Sequence, residues 1–136
     1  MAIFVKMEQK KNPTKSSYGK WYVRTVPHGT AHTADLARLL SERTTFSAGE
    51  VKGMLENLVQ EMTHLLQDGQ TVVLDGFGRF QLTASSKGVE RPEDIDLRHD
   101  ITKVKCKFLP AGSRDMDNKC IVRDFCKGVR VEWAPK

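Results

Sequence analysis

The sequence predicts an α+β fold in which two helices precede a β-hairpin and strands lie near both ends. Apolar residues recur every three or four positions between residues 48 and 66, which predicts one face of an amphipathic helix. An Asp-Gly pair at residues 75–76 follows an apolar run and predicts a tight turn. Apolar and polar residues alternate in the terminal segments, as they do in half-buried strands. The apolar helix positions are Val51, Met54, Leu55, Leu58, Val59, Met62, Leu65 and Leu66.

The first 32 residues predict a strand pair. Ile3, Val5 and Met7 alternate with polar neighbours, and residues 21–25 have strong strand propensity, so an antiparallel pairing of the two segments is expected. The connecting stretch KKNPTKSSYGK holds four lysines, which either contact phosphates or are solvated. Trp21 beside them either stacks on a nucleic-acid base or anchors a core.

Two helices are predicted to follow. Thr33 is the expected cap of the first, and its buried face is formed by Leu36, Leu39 and Leu40. Ser47 and Glu50 have the spacing of a capping box at the start of the second helix. Gly69 supplies the left-handed residue that ends it.

Beyond the turn, the pattern predicts an outgoing strand over residues 81–87, an acidic loop around Pro92 and a returning strand from Ile101. Residue alternation places Ile101 with three lysines on one face of the returning strand, and turns Val104, Cys106 and Phe108 inward. A short helix is expected within Ser113 to Lys119. In the last segment, the predicted core positions are Ile121, Val122 and Phe125. A final strand is predicted at Val129, Val131 and Trp133.

This series of a helix, a capped helix, the string DGFGRF, an arm proline and a basic strand resembles the bacterial HU and IHF family of architectural DNA-binding proteins. The resemblance covers roughly Thr33 to Asp117. The length of 136 residues predicts a single domain over 1–136. Within it, the resemblance implies an HU-like body at 33–119, an N-terminal strand extension at 1–32 and a C-terminal strand extension at 120–136. The extensions are unlike ordinary HU and indicate an elaborated branch.

The resemblance implies binding of double-stranded DNA, mainly through phosphates and so without sequence specificity. Where such arms lie in the minor groove, a proline can wedge between base steps. This sequence departs from the family's arm, because the outgoing strand has one basic residue where the family usually has several, and because carboxylates surround Pro92. An HU-like scaffold that has lost DNA bending is the alternative function. The candidate DNA-binding residues are Gly76, Phe77, Gly78, Arg79, Lys87, Arg91, Pro92, Lys103, Lys105 and Lys107.

A homodimer is the expected assembly, because two chains intertwine in the family resembled and the helices offer more apolar surface than one hairpin covers. The added terminal strands could instead cover that surface within one chain. The expected subunit contact is formed by Met54, Leu58, Met62 and Leu65.

Composition narrows the class of protein. The net charge is +5 and the pI about 9.2, and residues 1–32 hold six basic and one acidic side chain. This charge indicates either a phosphate-binding surface or an ordinary solvated surface. An enzyme is not expected, because no phosphate loop, nucleophile elbow or metalloprotease motif is present. No cofactor, metal, small-molecule substrate or membrane partner is expected. The three cysteines are expected to be reduced and packed as apolar residues. With no long apolar run or cleavable leader, we expect a cytoplasmic, nucleoid location.

Overall fold

The computed structural model describes residues 2–117 and 121–136 and confirms the α+β class. Two 3₁₀ turns, at Pro92–Asp94 and Asp124–Cys126, add to the regular elements. Those elements are, in chain order, β1 (Ala2–Gln9), β2 (Trp21–Val26), α1 (Thr33–Ser41), α2 (Ala48–Gln67), β3 (Val72–Leu74), β4 (Gly78–Ser86), β5 (Ile101–Pro110), β6 (Gly112–Arg114), β7 (Ile121–Arg123) and β8 (Arg130–Trp133).

The strands at the two ends form one sheet of order β2-β1-β8. β1 pairs antiparallel with β2, as the sequence predicts, and parallel with β8. The register gives this terminal sheet one largely apolar face and one largely charged face. The apolar face holds Ile3, Val5, Met7, Trp21, Val23, Val131 and Trp133, and the charged face holds Lys6, Glu8, Tyr22, Arg24, Arg130 and Glu132.

Both helices begin at hydrogen-bonded caps. The N-cap of α1 is His32, one residue before the predicted Thr33, and its backbone N–H donates to the Asp35 carboxylate at 2.8 Å. The capping box of α2 is confirmed: the Glu50 N–H donates to Ser47 Oγ at 3.2 Å, and the Ser47 N–H donates to the Glu50 carboxylate at 2.8 Å. Gly69 follows α2 with φ +85°.

The hydrophobic core of the single chain is very small. Among the described residues, only Val5, Ala37 and Val51 are buried apolar residues. The predicted burial of Leu36, Leu39 and Leu40 is wrong for one chain, since these side chains remain exposed. The accessible surface is 11802 Å², against about 7200 Å² for a compact monomer of 15.4 kDa. The helices therefore present an apolar face that their own chain leaves uncovered.

A second sheet of order β3-β4-β5 carries the arm, in which β4 and β5 pair antiparallel along their full length. α2 packs against β3 and β4, but the residues of β5 that were expected to face inward stay exposed. The prediction that Val104, Cys106 and Phe108 face inward is therefore wrong, since all three are exposed. Cys106 and Cys126 are free thiols, but both are exposed rather than packed.

A strand replaces the short helix predicted near residue 113. Gly112–Arg114 pairs antiparallel with β7, and no helix forms in the described part of Ser113 to Lys119; residues 118–120, Cys120 among them, lie outside the described residues. The segment lacks an apolar helical stripe, and Gly112 permits close strand approach, because a Cβ there would lie 2.5 Å from the Val122 carbonyl oxygen. Of the predicted core residues, Val122 is half-buried, whereas Ile121 and Phe125 are exposed.

Candidate nucleic-acid interface

Three lysines form a row on one face of the arm. The register sets Lys103, Lys105 and Lys107 opposite the polar residues Ser85, Thr83 and Gln81. Residues paired across a ladder share a face, and side chains two apart lie about 6.8 Å from each other along a strand. All three lysines are exposed, and Arg79 continues the same face toward the base of the arm. We call Arg79, Lys103, Lys105 and Lys107 the arm cation row.

A bulge at Thr102 ends this regular alternation. Ser85 pairs with Lys103 but Ser86 pairs with Ile101, so Thr102 is an extra residue in β5. Its hydroxyl donates to the Ser85 carbonyl at 3.1 Å. Because of the bulge, Ile101 lies on the opposite face from the lysines, and the prediction that it shares their face is wrong.

The base of the arm is a three-residue turn. The Phe77 N–H donates to the Leu74 carbonyl at 3.0 Å, and Gly76 has φ +76° in open space. Gly78, at φ +151°, is buried against β5: a Cβ would lie 2.4 Å from the Leu109 carbonyl oxygen and 2.6 Å from the Phe108 ring. Glycine is therefore required at Gly78 by contact as well as by conformation.

Phe77 belongs to an aromatic cluster. Its ring lies 5.8 Å from Phe80, 5.9 Å from Phe108 and 5.8 Å from Phe125, and Phe80 stacks on Phe108 at 4.7 Å. These spacings are those of favourable aromatic pairs. The ring therefore secures the turn to the arm and to the C-terminal segment. A contact of Phe77 with DNA stays a prediction.

The arm tip is a hydrogen-bonded loop built around Asp100, which is only 6% exposed. Its carboxylate accepts from Lys87 Nζ at 2.9 Å and from the Asp96 N–H at 2.8 Å. The Lys87 hydrogen bond and the Asp96 N–H hold the pKa of Asp100 below its ordinary value of 3.8, against the opposing effect of desolvation. The Lys87 charge, a predicted DNA contact, is thus largely compensated within the tip.

The remaining tip residues are solvent-facing. Arg91 and Pro92 are exposed, and Pro92 opens the 3₁₀ turn that the Asp94 N–H closes onto the Arg91 carbonyl at 3.1 Å. Sequence reasoning missed Leu97, which is 74% exposed in the turn that Asp96 closes. An apolar residue between Asp96 and Arg98 carries no periodic signal, so only the structure shows it at the surface.

The proposed subunit contact lies on one side of α2. Met54, Leu58 and Leu65 are exposed and Met62 is half-buried, so this side is available to a second chain. Within residues 2–117 and 121–136, no group of three or more His, Cys, Asp or Glu side chains could hold a metal ion. No helix in the same residues is long and apolar enough to cross a membrane.

Comparison with known families identifies the fold. Residues 1–125 match the HU-HIG family, described as an HU domain fused to a wHTH, Ig or glycine-rich motif. The chain belongs to this family. The resemblance seen in the sequence is thereby confirmed, and the match extends over the terminal strands β1 and β2 as well as over the helices and the arm of this HU-HIG chain.

Curated relatives point the same way. The HU-HIG chain is similar to the integration host factor alpha subunit of Nitrosospira multiformis, at 45% identity over 39% of this chain and 52% of the relative. The alpha subunit of Methylobacillus flagellatus is 41% identical over 46% of this chain and 60% of the relative. The alpha subunit of Erythrobacter litoralis is 33% identical over 54% of this chain and 74% of the relative. The chain thus spans about half the length of the first of these relatives.

Proposed function

We propose that this HU-HIG chain is a nucleoid-associated architectural protein that binds double-stranded DNA without sequence specificity. The observation that carries the proposal is the arm cation row, which presents Arg79, Lys103, Lys105 and Lys107 on one exposed face of a two-stranded ribbon. A two-stranded ribbon is narrow enough to enter a groove of duplex DNA.

The chemistry of this row suits phosphates rather than base edges. Lysine ammonium groups are point charges without the planar fork that reads guanine, so they set affinity and position more than sequence preference. The paired residues Gln81, Thr83 and Ser85 are uncharged and can add hydrogen bonds to the backbone. Apart from its chain neighbours, no atom lies within 4 Å of the Cβ position of Gly76, so a phosphate can approach the backbone closely there.

We further propose that two chains assemble through the Met54, Leu58, Met62 and Leu65 side of α2. The accessible surface exceeds that of a compact monomer by about 4600 Å², and a second chain can bury part of this excess. Several relatives bear the name of a subunit of integration host factor, which also supports an assembled state. A dimer would present two arms to one duplex.

Fluorescence anisotropy with a labelled duplex of about thirty base pairs tests the DNA proposal, with salt raised from about 50 to 200 mM. Several phosphate contacts predict an affinity that falls by orders of magnitude over this range. The Lys103→Glu, Lys105→Glu, Lys107→Glu variant should lose duplex binding. As a matched single change, Lys105→Glu should weaken binding whereas Lys52→Glu on α2 should not.

Absence of duplex binding by the wild type at low salt would contradict the proposal. The exposed carboxylates of Glu90, Glu93 and Asp94 favour a second function in that case, namely a scaffold whose arm tip contacts a basic protein. A Glu90→Gln, Glu93→Gln, Asp94→Asn variant distinguishes the two functions. If the chain binds DNA, this variant should bind DNA more tightly. If the chain is a scaffold, the variant should lose its protein partner.

A further inference from the structure

We propose that the terminal sheet and the loop that precedes β2 form a second nucleic-acid-binding surface, which takes single strands. Cations would contact the phosphates and unpaired bases would stack on Trp21. This surface lies outside the arm and uses none of its residues. We call it the N-terminal basic surface; it comprises the loop cations Lys10, Lys11, Lys15 and Lys20 with the aromatic residues Tyr18 and Trp21. Lys6, Tyr22 and Arg24 lie on the opposite face of the sheet from Trp21.

The charge of the molecule is concentrated here. Residues 1–32 hold six basic and one acidic side chain, a net charge of +5, which equals the net charge of the whole chain. The other 104 residues hold 16 basic and 16 acidic side chains, since 22 minus 6 and 17 minus 1 are both 16. Long-range attraction to a polyanion therefore comes mainly from this segment rather than from the arm.

The cations of the surface are available. All six basic side chains of residues 1–32 are exposed, and among them Arg24 alone forms an ion pair within the described ranges 2–117 and 121–136. Its guanidinium donates to both oxygens of Glu8 at 2.9 Å. This hydrogen bond lowers the pKa of Glu8, so the one carboxylate of the segment is ionised and locally compensated.

The aromatic residues are not core anchors. Trp21 is 59% exposed and Tyr18 is 60% exposed, although aromatic residues usually bury most of their surface. Within the single chain Trp21 is therefore not buried in a core, which was the alternative that the sequence left open. An exposed aromatic ring among lysines has the composition of a base-stacking platform.

Trp21 borders an open cleft of about 530 Å³, which is lined by Met7, Glu8, Gln9, Lys10, Lys11 and Trp21. The loop beside it is held by its own hydrogen bonds. Gln9 Nε2 donates to the Gly19 carbonyl at 2.9 Å, and the Gly19 N–H donates to the Lys10 carbonyl at 2.9 Å. Asn12 Oδ1 accepts from the Thr14 N–H at 3.1 Å. The lysines are therefore presented from an ordered loop, which reduces the entropy lost on binding.

Single strands fit this arrangement better than duplexes. In a duplex the faces of the bases are stacked on each other, so an exposed indole finds a base only where the strand is unpaired. Single-stranded DNA and RNA share the phosphate and stacking chemistry, and a comparison of oligo-dT with oligo-U distinguishes them.

The test measures the anisotropy of labelled oligo-dT and oligo-U of about thirty nucleotides, several times the span of one such surface. The Lys11→Glu, Lys15→Glu, Lys20→Glu variant should lose at least about tenfold in affinity. Trp21→Ala should lose about tenfold, and Trp21→Phe, which keeps a ring, should lose less. The arm variant Lys103→Glu, Lys105→Glu, Lys107→Glu serves as the matched control and should retain single-strand binding.

Tryptophan fluorescence gives an independent readout. The chain has two tryptophans, so Trp133→Phe leaves Trp21 as the only indole. Oligo-dT should quench its emission through stacking. The proposal is overturned by three results: no binding of either oligonucleotide at low salt, loss of single-strand binding in the arm variant but not in the loop variant, or binding of anionic phospholipid vesicles without binding of oligonucleotides. Failure of duplex binding alone would instead overturn the proposed function of the arm.

Discussion

At Gly78 the backbone of the turn passes so close to β5 that no side chain fits. A Cβ would meet the Leu109 carbonyl oxygen at 2.4 Å, and that oxygen belongs to the backbone of a paired strand. This oxygen cannot move without disturbing the ladder between β4 and β5. Gly76, two residues earlier, has a positive φ but open surroundings. A side chain at Gly76 would therefore cause backbone strain alone, whereas a side chain at Gly78 would cause strain and a steric clash.

We expect Gly78→Ala to lower the free energy of unfolding by about 2–4 kcal/mol, because it combines backbone strain with a clash. Gly76→Ala should cost about 1–2 kcal/mol, since only the left-handed conformation is penalised. Urea denaturation of both variants measures the difference. Equal decreases in the free energy of unfolding would show that β5 shifts to accommodate the added methyl group of Gly78→Ala.

Residue-scale prediction from the sequence succeeded where the signal was local. The capping box of Ser47 and Glu50 depends on residues three apart, and the structure confirms it. Phe77 stands in a recognisable turn motif, yet its contact with Phe125 joins residues almost fifty positions apart. No local pattern encodes such a distance, so the aromatic cluster was not predicted.

At the scale of elements, the arm tip is organised by one carboxylate. Asp100 binds Lys87 and the Asp96 N–H, and its pKa is lowered in the folded tip. A group whose pKa is lower in the folded than in the unfolded state stabilises the fold above its unfolded pKa, and this contribution is lost as the pH falls through the folded pKa. The tip should therefore open under acid conditions and stay closed at neutral pH.

Amide hydrogen exchange of Asp96 and neighbouring tip residues measures this opening. Exchange protection should be full above the ordinary pKa of 3.8 and should decrease as the pH drops below it. Asp100→Asn should expose the tip even at neutral pH, because the amide cannot pair with the Lys87 charge. Asp94→Asn, at an exposed position of the same loop, is the control. Tip protection that is insensitive to both pH and Asp100→Asn would refute the role of this carboxylate.

The faces of β5 were only partly predictable. Period-two alternation correctly grouped the three lysines, because alternation is a property of any extended strand. It misplaced Ile101, because the bulge at Thr102 depends on the register with β4. It also turned Val104 and Cys106 inward, although both side chains are exposed because α2 packs on β3 and β4 and not over this part of β5.

At the scale of the whole molecule, we propose that a second chain covers the apolar face of α2. The three buried apolar residues in the described part of the chain cannot offset the conformational entropy of 136 residues. We expect sedimentation equilibrium to give twice the 15.4 kDa chain mass. The melting temperature should rise with protein concentration, as linkage between folding and association requires.

Substitutions on α2 locate this contact. Leu58→Asp should shift the protein to monomers and lower its melting temperature, because it places a charge within the proposed interface. Gln60→Asp, an exposed position outside the apolar stripe of the same helix, should change neither. A wild-type protein that sediments as a single chain at micromolar concentration would disprove the dimer.

The sequence by itself determined the helices, the Asp-Gly turn, the terminal strands and the alternation of lysines along β5, because each depends on residues within one or two turns of a helix or along one strand. Only the tertiary structure decided that β1 pairs in parallel with β8, that Thr102 forms a bulge, that Asp100 is buried against Lys87 and that Trp21 is exposed. Each of these depends on which distant segment lies beside the residue. Pairing and burial between separate segments reflect the free energy of the whole chain, and no local pattern records them.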